Sequence, residues 1–407
     1  MKVLHVISGL RGTAGGTVTA LLGLAHAQRR AGLHVAIAAS FVHPEDTEAA
    51  ALRAAGLEIH QIGPCRDPRS RHPQMGVWIE GLARDADVVH IHALWETIQH
   101  AAARRCQRVG VPYVITPHGM LDPWSLAQGA LKKKLYIALR LRRNLNRAAA
   151  IHFTTTTERD LVMGPLRLKA RTIIEPNGLD LTEFDQLPAR GTFRTKHPEL
   201  GNRPIVMFLG RLHYKKGLDL LVPAFARGAP ANAMLVLAGP DEDGYQRTVE
   251  QMVEENELAG RVVFTGMLRG RERIEALVDA DLFALPSYQE NFGIAVIEAL
   301  AAGCPVVISD RVNIHHEIAS ARVGGVVPTE VGALSMEIAS WLNDAKLRED
   351  VGRRGPAFVR ERYDWNRIAG DWVSIYEWLA SASAGSRSAQ SERIVPPTAP
   401  SPRQSSR

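Results

Sequence analysis

The sequence is poor in cysteine: its 407 residues include only Cys65, Cys106 and Cys304. Because so few widely spaced thiols form neither a disulfide framework nor a zinc knuckle, we expect the protein to reside in a reducing cytoplasm. Long apolar runs are also lacking. The first run, residues 3–7, is too short for a signal peptide or for a membrane span of about 20 residues. We therefore expect no transmembrane helix.

Neither sign of charge dominates the composition. Lysine and arginine total 49 against 43 acidic residues, a formal net charge of +6, and this excess does not by itself imply nucleic-acid binding. The length suffices for two domains of ordinary size. Residues 381–407 are rich in serine, proline, alanine and arginine and contain no aromatic residue, so we expect a disordered tail there.

Residues 282–308 carry the clearest pattern in the chain. They read as a strand, a polar loop, an almost wholly apolar helix from about Phe292 to Ala302, and a second strand, typical of a parallel sheet covered on both faces. Glu298 lies within the apolar helix, where a carboxylate needs a polar partner. Glu290 precedes the helix N-terminus, whose free N–H groups and dipole favour a phosphate. The pattern predicts a cleft for an anionic ligand that carries hydroxyl groups.

A glycine-rich loop at residues 9–16 follows the first predicted strand and precedes a helix. This order also occurs in dinucleotide-binding proteins, but Arg11 breaks the required Gly-x-Gly spacing, and no acidic residue ends the second strand to bind a ribose. We therefore disfavour an oxidoreductase. A tight turn that packs a helix on a strand explains the glycines equally well.

Polar residues follow several predicted strands. His92 and His118 end two strands of the first half, where ligands of open parallel sheets bind, although either histidine could be structural. Arg211 and Lys216 follow the strand at residues 205–209 and could hold a diphosphate, the arginine bidentately and the lysine as a point charge. The order of residues there does not match a Walker loop.

Residues 123–157 contain no acidic residue and predict a basic amphipathic helix. Two interpretations remain open: the helix lies on an anionic membrane surface, or its leucines pack on the protein's own sheet. The leucines are Leu131, Leu135, Leu139 and Leu145, and the basic residues are Lys132, Lys133, Lys134, Arg140, Arg142, Arg143 and Arg147.

Taken together, these motifs resemble the retaining, nucleotide-sugar-dependent glycosyltransferases of family 4. Glu290-Asn291-Phe292-Gly293 followed by Glu298 is similar to the two-glutamate signature of that family, and residues 175–180 resemble its Pro-Asn-Gly-Val-Asp turn. The segment His118 to Trp124, followed by the basic helix, looks like members that build capsular or exported polysaccharides. The resemblance covers most of residues 1–379.

The resemblance implies a GT-B fold, in which two Rossmann-like, doubly wound parallel-sheet domains face a cleft. The expected boundaries are an acceptor-side domain at 1–185, a linker at 186–203 and a nucleotide-sugar-binding domain at 204–364. A last helix at 365–380 is expected to cross back to the first domain.

The resemblance also assigns residues to roles. Catalytic roles fall to His118, Arg211, Lys216 and Glu290. Donor binding falls to Gly15, Gly16, Gly210, Gly266, Met267, Asn291, Phe292, Gly293, Ile294 and Glu298. Membrane or acceptor contacts fall to Lys132, Lys133, Lys134, Arg140 and Arg143. We expect no metal and no cofactor, because no His/Asp/Glu cluster has metal-ligand spacing and the nucleoside-diphosphate sugar is a co-substrate.

The implied function is retaining transfer of a hexose from a nucleoside-diphosphate sugar to a glycan or lipid-linked acceptor during bacterial surface polysaccharide biosynthesis, either capsule or lipopolysaccharide. The expected location is cytoplasmic, with peripheral attachment to the inner membrane as an option. Two alternatives remain. A sugar-nucleotide epimerase of the same fold would form product without an acceptor, and a non-catalytic membrane-associated protein would bind the donor without acceptor-dependent nucleotide release.

Overall fold

The computed structural model describes residues 1–10, 16–43, 49–66 and 69–385, which form two parallel β-sheets. The first sheet contains β1 (Lys2–Ile7), β2 (His34–Ser40), β3 (Glu58–Ile62), β4 (Val88–His92), β5 (Tyr113–Thr116), β6 (Ala150–Phe153) and β7 (Thr172–Ile174). The second contains β8 (Ile205–Leu209), β9 (Met234–Ala238), β10 (Val262–Gly266), β11 (Leu282–Leu285), β12 (Val306–Ser309) and β13 (Gly324–Val327).

Helices connect the strands in both halves. The first half contains α1 (Gly16–Arg30), α2 (Ala49–Ala54), α3 (Met75–Arg84), α4 (Thr97–Val109), α5 (Pro123–Ala127), α6 (Ala130–Tyr136), a π-helical stretch (Ile137–Leu141), α7 (Arg142–Asn146) and α8 (Thr156–Met163). The second half contains α9 (Thr192–Lys196), α10 (Leu218–Gly228), α11 (Tyr245–Glu255), α12 (Gly270–Asp279), α13 (Ile294–Ala301), α14 (His315–Ala321), α15 (Val331–Asn343), α16 (Ala345–Tyr363) and α17 (Trp365–Gly385). Short 3₁₀ turns occupy Leu181–Phe184, Pro198–Leu200 and Tyr214–Lys216.

The strand order places a reversal in the middle of each sheet. The first sheet runs β3-β2-β1-β4-β5-β6-β7 and the second β10-β9-β8-β11-β12-β13. The order therefore reverses between β1 and β4 and again between β8 and β11. Ligands of such sheets bind outside the carboxyl ends of the strands at these reversals. The predicted pair of doubly wound domains is confirmed.

The segment at 186–203, predicted to be a linker, folds onto the second domain. Phe193 and Leu200 are buried in the second domain's core. Asp279, at the end of α12, accepts hydrogen bonds from the backbone N–H groups of Gly191 (2.5 Å) and Arg194 (2.9 Å). The chain between the sheets is therefore anchored to one of them over most of its length.

The last helix, α17, returns to the first domain and packs on α1 and the first sheet. Trp365, Trp372 and Tyr376 are buried in the first domain's core. The Trp365 ring fills a notch at Gly23 and Gly178, where a Cβ atom at either glycine would clash with the indole. The crossover helix is thus confirmed, but it extends to residue 385 rather than 380. The rest of the predicted disordered tail lies outside the described residues.

The packing of Trp365 against Gly23 can be tested by substitution. Alanine normally stabilises a helix interior by about 0.5–1 kcal/mol relative to glycine. We expect Gly23→Ala to lower stability nevertheless, because displacing a packed side chain costs about 1–3 kcal/mol. Gly81, in α3, is the matched control, since a Cβ there meets no atom within 4 Å. Thermal unfolding midpoints should fall for Gly23→Ala and rise for Gly81→Ala; a rise for both would contradict the packing role of Trp365.

Candidate active site between the two sheets

Two loops of the second domain meet at its strand-order reversal. Lys216, in the loop after β8, forms an ion pair with Glu290, in the loop after β11, and both side chains are largely buried. The loops are in close contact, since a Cβ at Gly217 would clash with the carbonyl oxygen of Pro286. Gly217 has a φ of 71°, which suits glycine. The structure thus brings together two residues that the sequence places 74 positions apart.

The charge on Glu290 is set by the cations around it. Burial alone would raise the pKa of its carboxyl, but the charge and hydrogen bond of Lys216, with the charges of Lys215 and Arg211, hold that pKa below its ordinary value. Arg211 is half exposed at the same edge of the sheet and pairs with Glu242. The loop therefore presents an ionised carboxylate among three cations.

Glu298 lies in α13, where the sequence required a polar partner, and the structure identifies that partner as Arg273 of α12. The Nη1 of Arg273 lies 3.2 Å from Oε1 of Glu298, and its Nη2 lies 2.6 Å from the carboxylate of Glu183. Burial raises the pKa of Glu298 to about 7, although the charge of Arg273 opposes this shift. Arg273 is not predicted from the sequence, because its only signal there is an arginine on a neighbouring helix.

Helix α13 is shorter than the predicted helix, since Gly293, with a φ of 84°, precedes its first residue, Ile294. The Phe292 side chain is buried and packs edge-on against Tyr363, so only its backbone remains for a donor. The Met267 side chain is 46% exposed beside Gly266, at the end of β10.

Two of the remaining predicted donor-binding glycines lie at the end of a strand or of a helix. Gly210 directly follows β8. Gly16 is the first residue of α1, and a Cβ there would lie 4.0 Å from the Ile294 side chain across the cleft. Gly15 lies outside the described residues.

On the first domain, His118 and Gly119 form a turn with positive φ angles of 52° and 72°. The buried carboxylate of Glu158 supports this turn by accepting the Gly119 N–H at 2.7 Å. It also accepts the N–H (2.8 Å) and hydroxyl (3.0 Å) of Thr154. Burial raises the pKa of Glu158 to about 7. Glu158 is not among the predicted site residues, and its signal in the sequence is an acid three positions after the helix-capping Thr155.

Hydrogen bonds cross the cleft and join the two domains. Gln289 donates to the buried carboxylate of Asp122, and Asn291 Nδ2 donates to Thr154 Oγ1 at 3.3 Å. Burial raises the pKa of Asp122 to about 6, against the hydrogen bond from Gln289. Because Gly119 packs directly against Asn291, the turn that carries His118 touches the loop that carries Glu290.

His92 does not stand free at its strand end. It is buried and hydrogen-bonded to His5 (2.9 Å) and His118 (3.0 Å). The sequence analysis found no metal-ligand spacing, whereas the structure brings ligand atoms of His5, His90 and His92 within 4.8 Å of one another. All three side chains are fully engaged in hydrogen bonds to protein groups. Their signal in the sequence is the presence of histidines in two largely apolar strands, one in β1 and two in β4.

The basic segment is one helical rod, formed by α6, the π-helical stretch and α7. Leu131, Leu135 and Leu139 are 82%, 59% and 71% exposed, so the interpretation in which the leucines pack on the protein's own sheet is wrong for these three. Leu145 is buried. Lys133 turns inward, donates to the Ser125 carbonyl at 2.5 Å and lies over the Trp95 ring. The exposed cations are Lys132, Lys134, Arg140, Arg142, Arg143 and Arg147.

Among residues 1–10, 16–43, 49–66 and 69–385, no helix combines the length and apolar composition needed to cross a bilayer.

Known proteins match the chain along most of its length. The family model described as glycosyl transferase 4-like domain matches residues 15–178, and the one described as glycosyl transferases group 1 matches residues 189–358. Alpha-maltose-1-phosphate synthase of Mycolicibacterium smegmatis is 31% identical over 319 residues, covering 74% of this chain and 81% of that protein. GDP-mannose:cellobiosyl-diphosphopolyprenol alpha-mannosyltransferase of Xanthomonas campestris is 26% identical over 389 residues, covering 92% and 96%.

The fold agrees with a solved structure. The crystal structure of Anabaena HepE in complex with UDP superposes with a TM-score of 0.78 at 20% identity, covering 94% of this chain and 100% of that one. The architecture is therefore that of a GT-B glycosyltransferase. The chain belongs to the group 1 glycosyltransferases, which confirms the resemblance drawn from the sequence.

The two glutamates should affect the pH dependence of stability with opposite signs. Glu298 has a folded pKa of about 7 against an ordinary value of 4.5, so between these values the native state binds more protons than the unfolded state. The stability of wild type relative to Glu298→Gln should therefore fall as the pH rises from 4.5 to 7, by at most about 1.4 kcal/mol per unit.

Glu290 provides the internal comparison, because its pKa is lowered from 4.5. Its contribution should be fully present above pH 4.5 and lost as the pH falls through the folded pKa, so wild type should gain on Glu290→Gln as the pH rises through the acid range. Urea unfolding across pH 3–8 measures both differences. If the two stability differences changed with pH in the same direction, the inferred environments of Glu290 and Glu298 would be refuted.

Proposed function

We propose that this glycosyltransferase is a retaining hexosyltransferase of family 4. It transfers a sugar from a nucleoside-diphosphate donor to a hydroxyl of a glycan or lipid-linked acceptor. The observation that carries the proposal is the pairing of Lys216 with Glu290, beside Arg211, at the strand-order reversal that faces the first domain.

Charge separation is the main demand of this reaction. Breaking the bond between sugar and phosphate places negative charge on the diphosphate and positive charge on the sugar ring. Arg211 and Lys216 stabilise the diphosphate, and the N-terminus of α13 adds its dipole and free N–H groups. The ionised Glu290 orients the sugar from its hydroxyl side, and Glu298 accepts from the ribose hydroxyls. Gly16, Gly210, Gly266, Met267, Asn291, Phe292, Gly293 and Ile294 contribute backbone or side-chain contacts to the donor.

The two glutamates do not act as a glycosidase pair. Glu290 is held ionised by Lys216, so it cannot serve as the general acid. Glu298 is committed to Arg273 and, in the complex, to the donor. The acceptor hydroxyl loses its proton to the departing phosphate, and no resident metal or cofactor is required because two cations neutralise the diphosphate.

The relatives support the proposed donor and acceptor classes. HepE binds UDP in its crystal structure, which supports a nucleoside diphosphate as the leaving group. The Xanthomonas relative is described as acting on a cellobiosyl-diphosphopolyprenol, which supports a lipid-linked acceptor and a role in bacterial surface polysaccharide biosynthesis.

A lipid-linked acceptor requires access to a membrane, and the rod of α6 and α7 offers a surface for it. Leu131, Leu135 and Leu139 recur every four residues, so they share one face of the helix and are exposed together. Exposed cations flank this face, including Lys132, Lys134, Arg140 and Arg143. We propose that it docks on the anionic cytoplasmic face of the inner membrane, attracted by these charges and anchored by the leucines.

The donor proposal is tested with UDP, GDP, ADP, CMP and their common sugar conjugates. At about 100 times its dissociation constant, the true donor should stabilise wild type by roughly 2.7 kcal/mol. Arg211→Met should lower kcat/KM with that donor by about 10²–10³-fold if the guanidinium stabilises the transition state.

Glu242→Gln is the matched control for Arg211, because it releases the guanidinium without removing it. Near-normal turnover by Arg211→Met would refute its catalytic role. An altered sugar formed without acceptor would indicate an epimerase. Donor binding without acceptor-dependent nucleotide release would indicate a non-catalytic protein.

The membrane proposal is tested by sedimentation with vesicles of phosphatidylglycerol and of phosphatidylcholine. Wild type should bind the anionic vesicles. Replacing Leu131, Leu135 and Leu139 together by glutamine should weaken binding by more than tenfold, since each buried leucine contributes about 1.5–3 kcal/mol. Met336→Gln is the control: it alters an apolar residue that is 71% exposed on α15, away from the rod, and should not change vesicle binding. Equal binding by wild type and the triple variant would exclude this docking face.

A further inference from the structure

A continuous chain of buried polar side chains crosses the first sheet. Its members project from β1, β4, β5 and β6 into the face that α1 and α17 cover. His5 lies opposite His90 in the pairing of β1 with β4, and His92 lies opposite Thr116 in the pairing of β4 with β5. The chain consists of His152, Thr116, His90, Tyr376, Gln28, His5, His92 and His118.

The first half of this hydrogen-bonded series begins at the backbone carbonyl of Glu175, which lies 2.7 Å from Nε2 of His152. Nδ1 of His152 lies 2.8 Å from the Thr116 hydroxyl, and that hydroxyl lies 2.6 Å from Nε2 of His90. Nδ1 of His90 lies 2.7 Å from the hydroxyl of Tyr376 on the crossover helix.

The second half continues from Tyr376 to the cleft. The side-chain amide of Gln28 donates to the Tyr376 hydroxyl at 3.2 Å, and its oxygen lies 2.8 Å from Nε2 of His5. Nδ1 of His5 lies 2.9 Å from Nε2 of His92, and Nδ1 of His92 lies 3.0 Å from Nε2 of His118. The chain therefore ends at a predicted catalytic residue.

One end of the chain fixes the direction of every hydrogen bond. A carbonyl oxygen only accepts, so Nε2 of His152 carries a proton. If His152 is neutral, its Nδ1 accepts from the Thr116 hydroxyl, which in turn accepts from Nε2 of His90. Repeating this rule makes Tyr376 donate to His90, Gln28 to Tyr376, His5 to Gln28, His92 to His5 and His118 to His92.

The opposite direction requires a doubly protonated His152. Burial opposes such a charge, and it lowers the pKa of His152 and His5 to about 4 and that of His118 to about 3. Burial and the neighbouring imidazoles likewise lower the pKa values of His90 and His92. All five imidazoles are therefore neutral at pH 7, and the direction is unique.

We propose that this chain is a positioning relay that holds His118 as the tautomer protonated on Nε2, so that Nδ1 accepts a hydrogen bond from a hydroxyl of the donor sugar. The described residues provide no hydrogen-bond partner for this Nδ1, and the His118–Gly119 turn lies against Asn291 in the cleft. The sugar role rests on the proposed function. At this position a lone pair selects a hydroxyl over a carboxylate, so the relay favours neutral sugars over uronic acids.

A metal ion on His5, His90 and His92 is the competing explanation for the same side chains. Each of their ring nitrogens already has a protein partner, and the partners form one consistent series of donors and acceptors. An ion would have to replace several of these hydrogen bonds. The relay explains every nitrogen without such a replacement.

The test uses ¹⁵N-histidine NMR of the whole protein without substrate. In wild type, His118 should show a protonated Nε2 and an unprotonated Nδ1. Tyr376→Phe removes one link and Thr116→Val, nearly isosteric, removes another, so each should free the direction of the relay and populate the other His118 tautomer. Tyr113→Phe is the matched control, because Tyr113 is a buried tyrosine of the same domain that donates to the Asn144 carbonyl outside the relay.

The same variants are then assayed with the identified donor. Tyr376→Phe and Thr116→Val should lower kcat/KM at least tenfold and narrow the preference for a neutral sugar over its uronic acid, while Tyr113→Phe should change neither. An Nδ1-protonated His118 in wild type, unchanged tautomers in both relay variants, or stoichiometric Zn²⁺ shifts at His5, His90 and His92 would overturn the relay. If His118 carries its proton on Nε2 as expected but the protein turns over no donor, the proposed function is overturned and the relay is not.

Discussion

The candidate site depends on one compensated charge. Glu290 lies largely buried, where burial alone would raise the pKa of its carboxyl, and the charge and hydrogen bond of Lys216, with the charges of Lys215 and Arg211, instead hold that pKa below its ordinary value. The pair also joins the loops after β8 and β11, so the electrostatic requirement and the geometry of the reversal are met by the same contact. Arg273 has a similar relation to Glu298, but it does not prevent the pKa of that carboxyl from rising to about 7. The two glutamates therefore differ in charge because their cations differ in proximity and number.

The two domains differ in how they use the interior of their sheets. The strands of the second sheet are apolar except for Thr265 and Ser309, and their apolar residues join one continuous core. The first sheet instead places a buried histidine or threonine in four of its strands, and α17 and α1 supply the tyrosine and glutamine that complete their hydrogen bonds. Burying polar groups is costly unless all are satisfied. By returning to the first domain, α17 therefore supplies hydrogen-bond partners to the buried polar groups of that domain as well as apolar packing.

The sequence predicted much of the fold because buried parallel strands form nearly continuous apolar runs, and these runs alternate with helices. It also identified the residues at strand ends, such as Lys216 and Glu290, since that edge follows from the strand direction alone. Arg273 and Glu158 were missed because their roles depend on which helices become neighbours. The relay was missed for a related reason: His5 and His90 face each other only through the pairing of β1 with β4, which adjacent positions in the chain do not reveal.

The hydrogen bonds from Gln289 to Asp122 and from Asn291 to Thr154 give the cleft a latch. For the proposed reaction, a cleft joined by these hydrogen bonds must open to admit the donor and again to release the nucleotide. Loop and domain motions of this kind commonly limit turnover in enzymes that enclose their substrates. Under the proposed function, turnover would depend on how often two side-chain amides release the first domain, and a weaker latch would trade protection of the reacting sugar from water for faster exchange of donor and nucleotide.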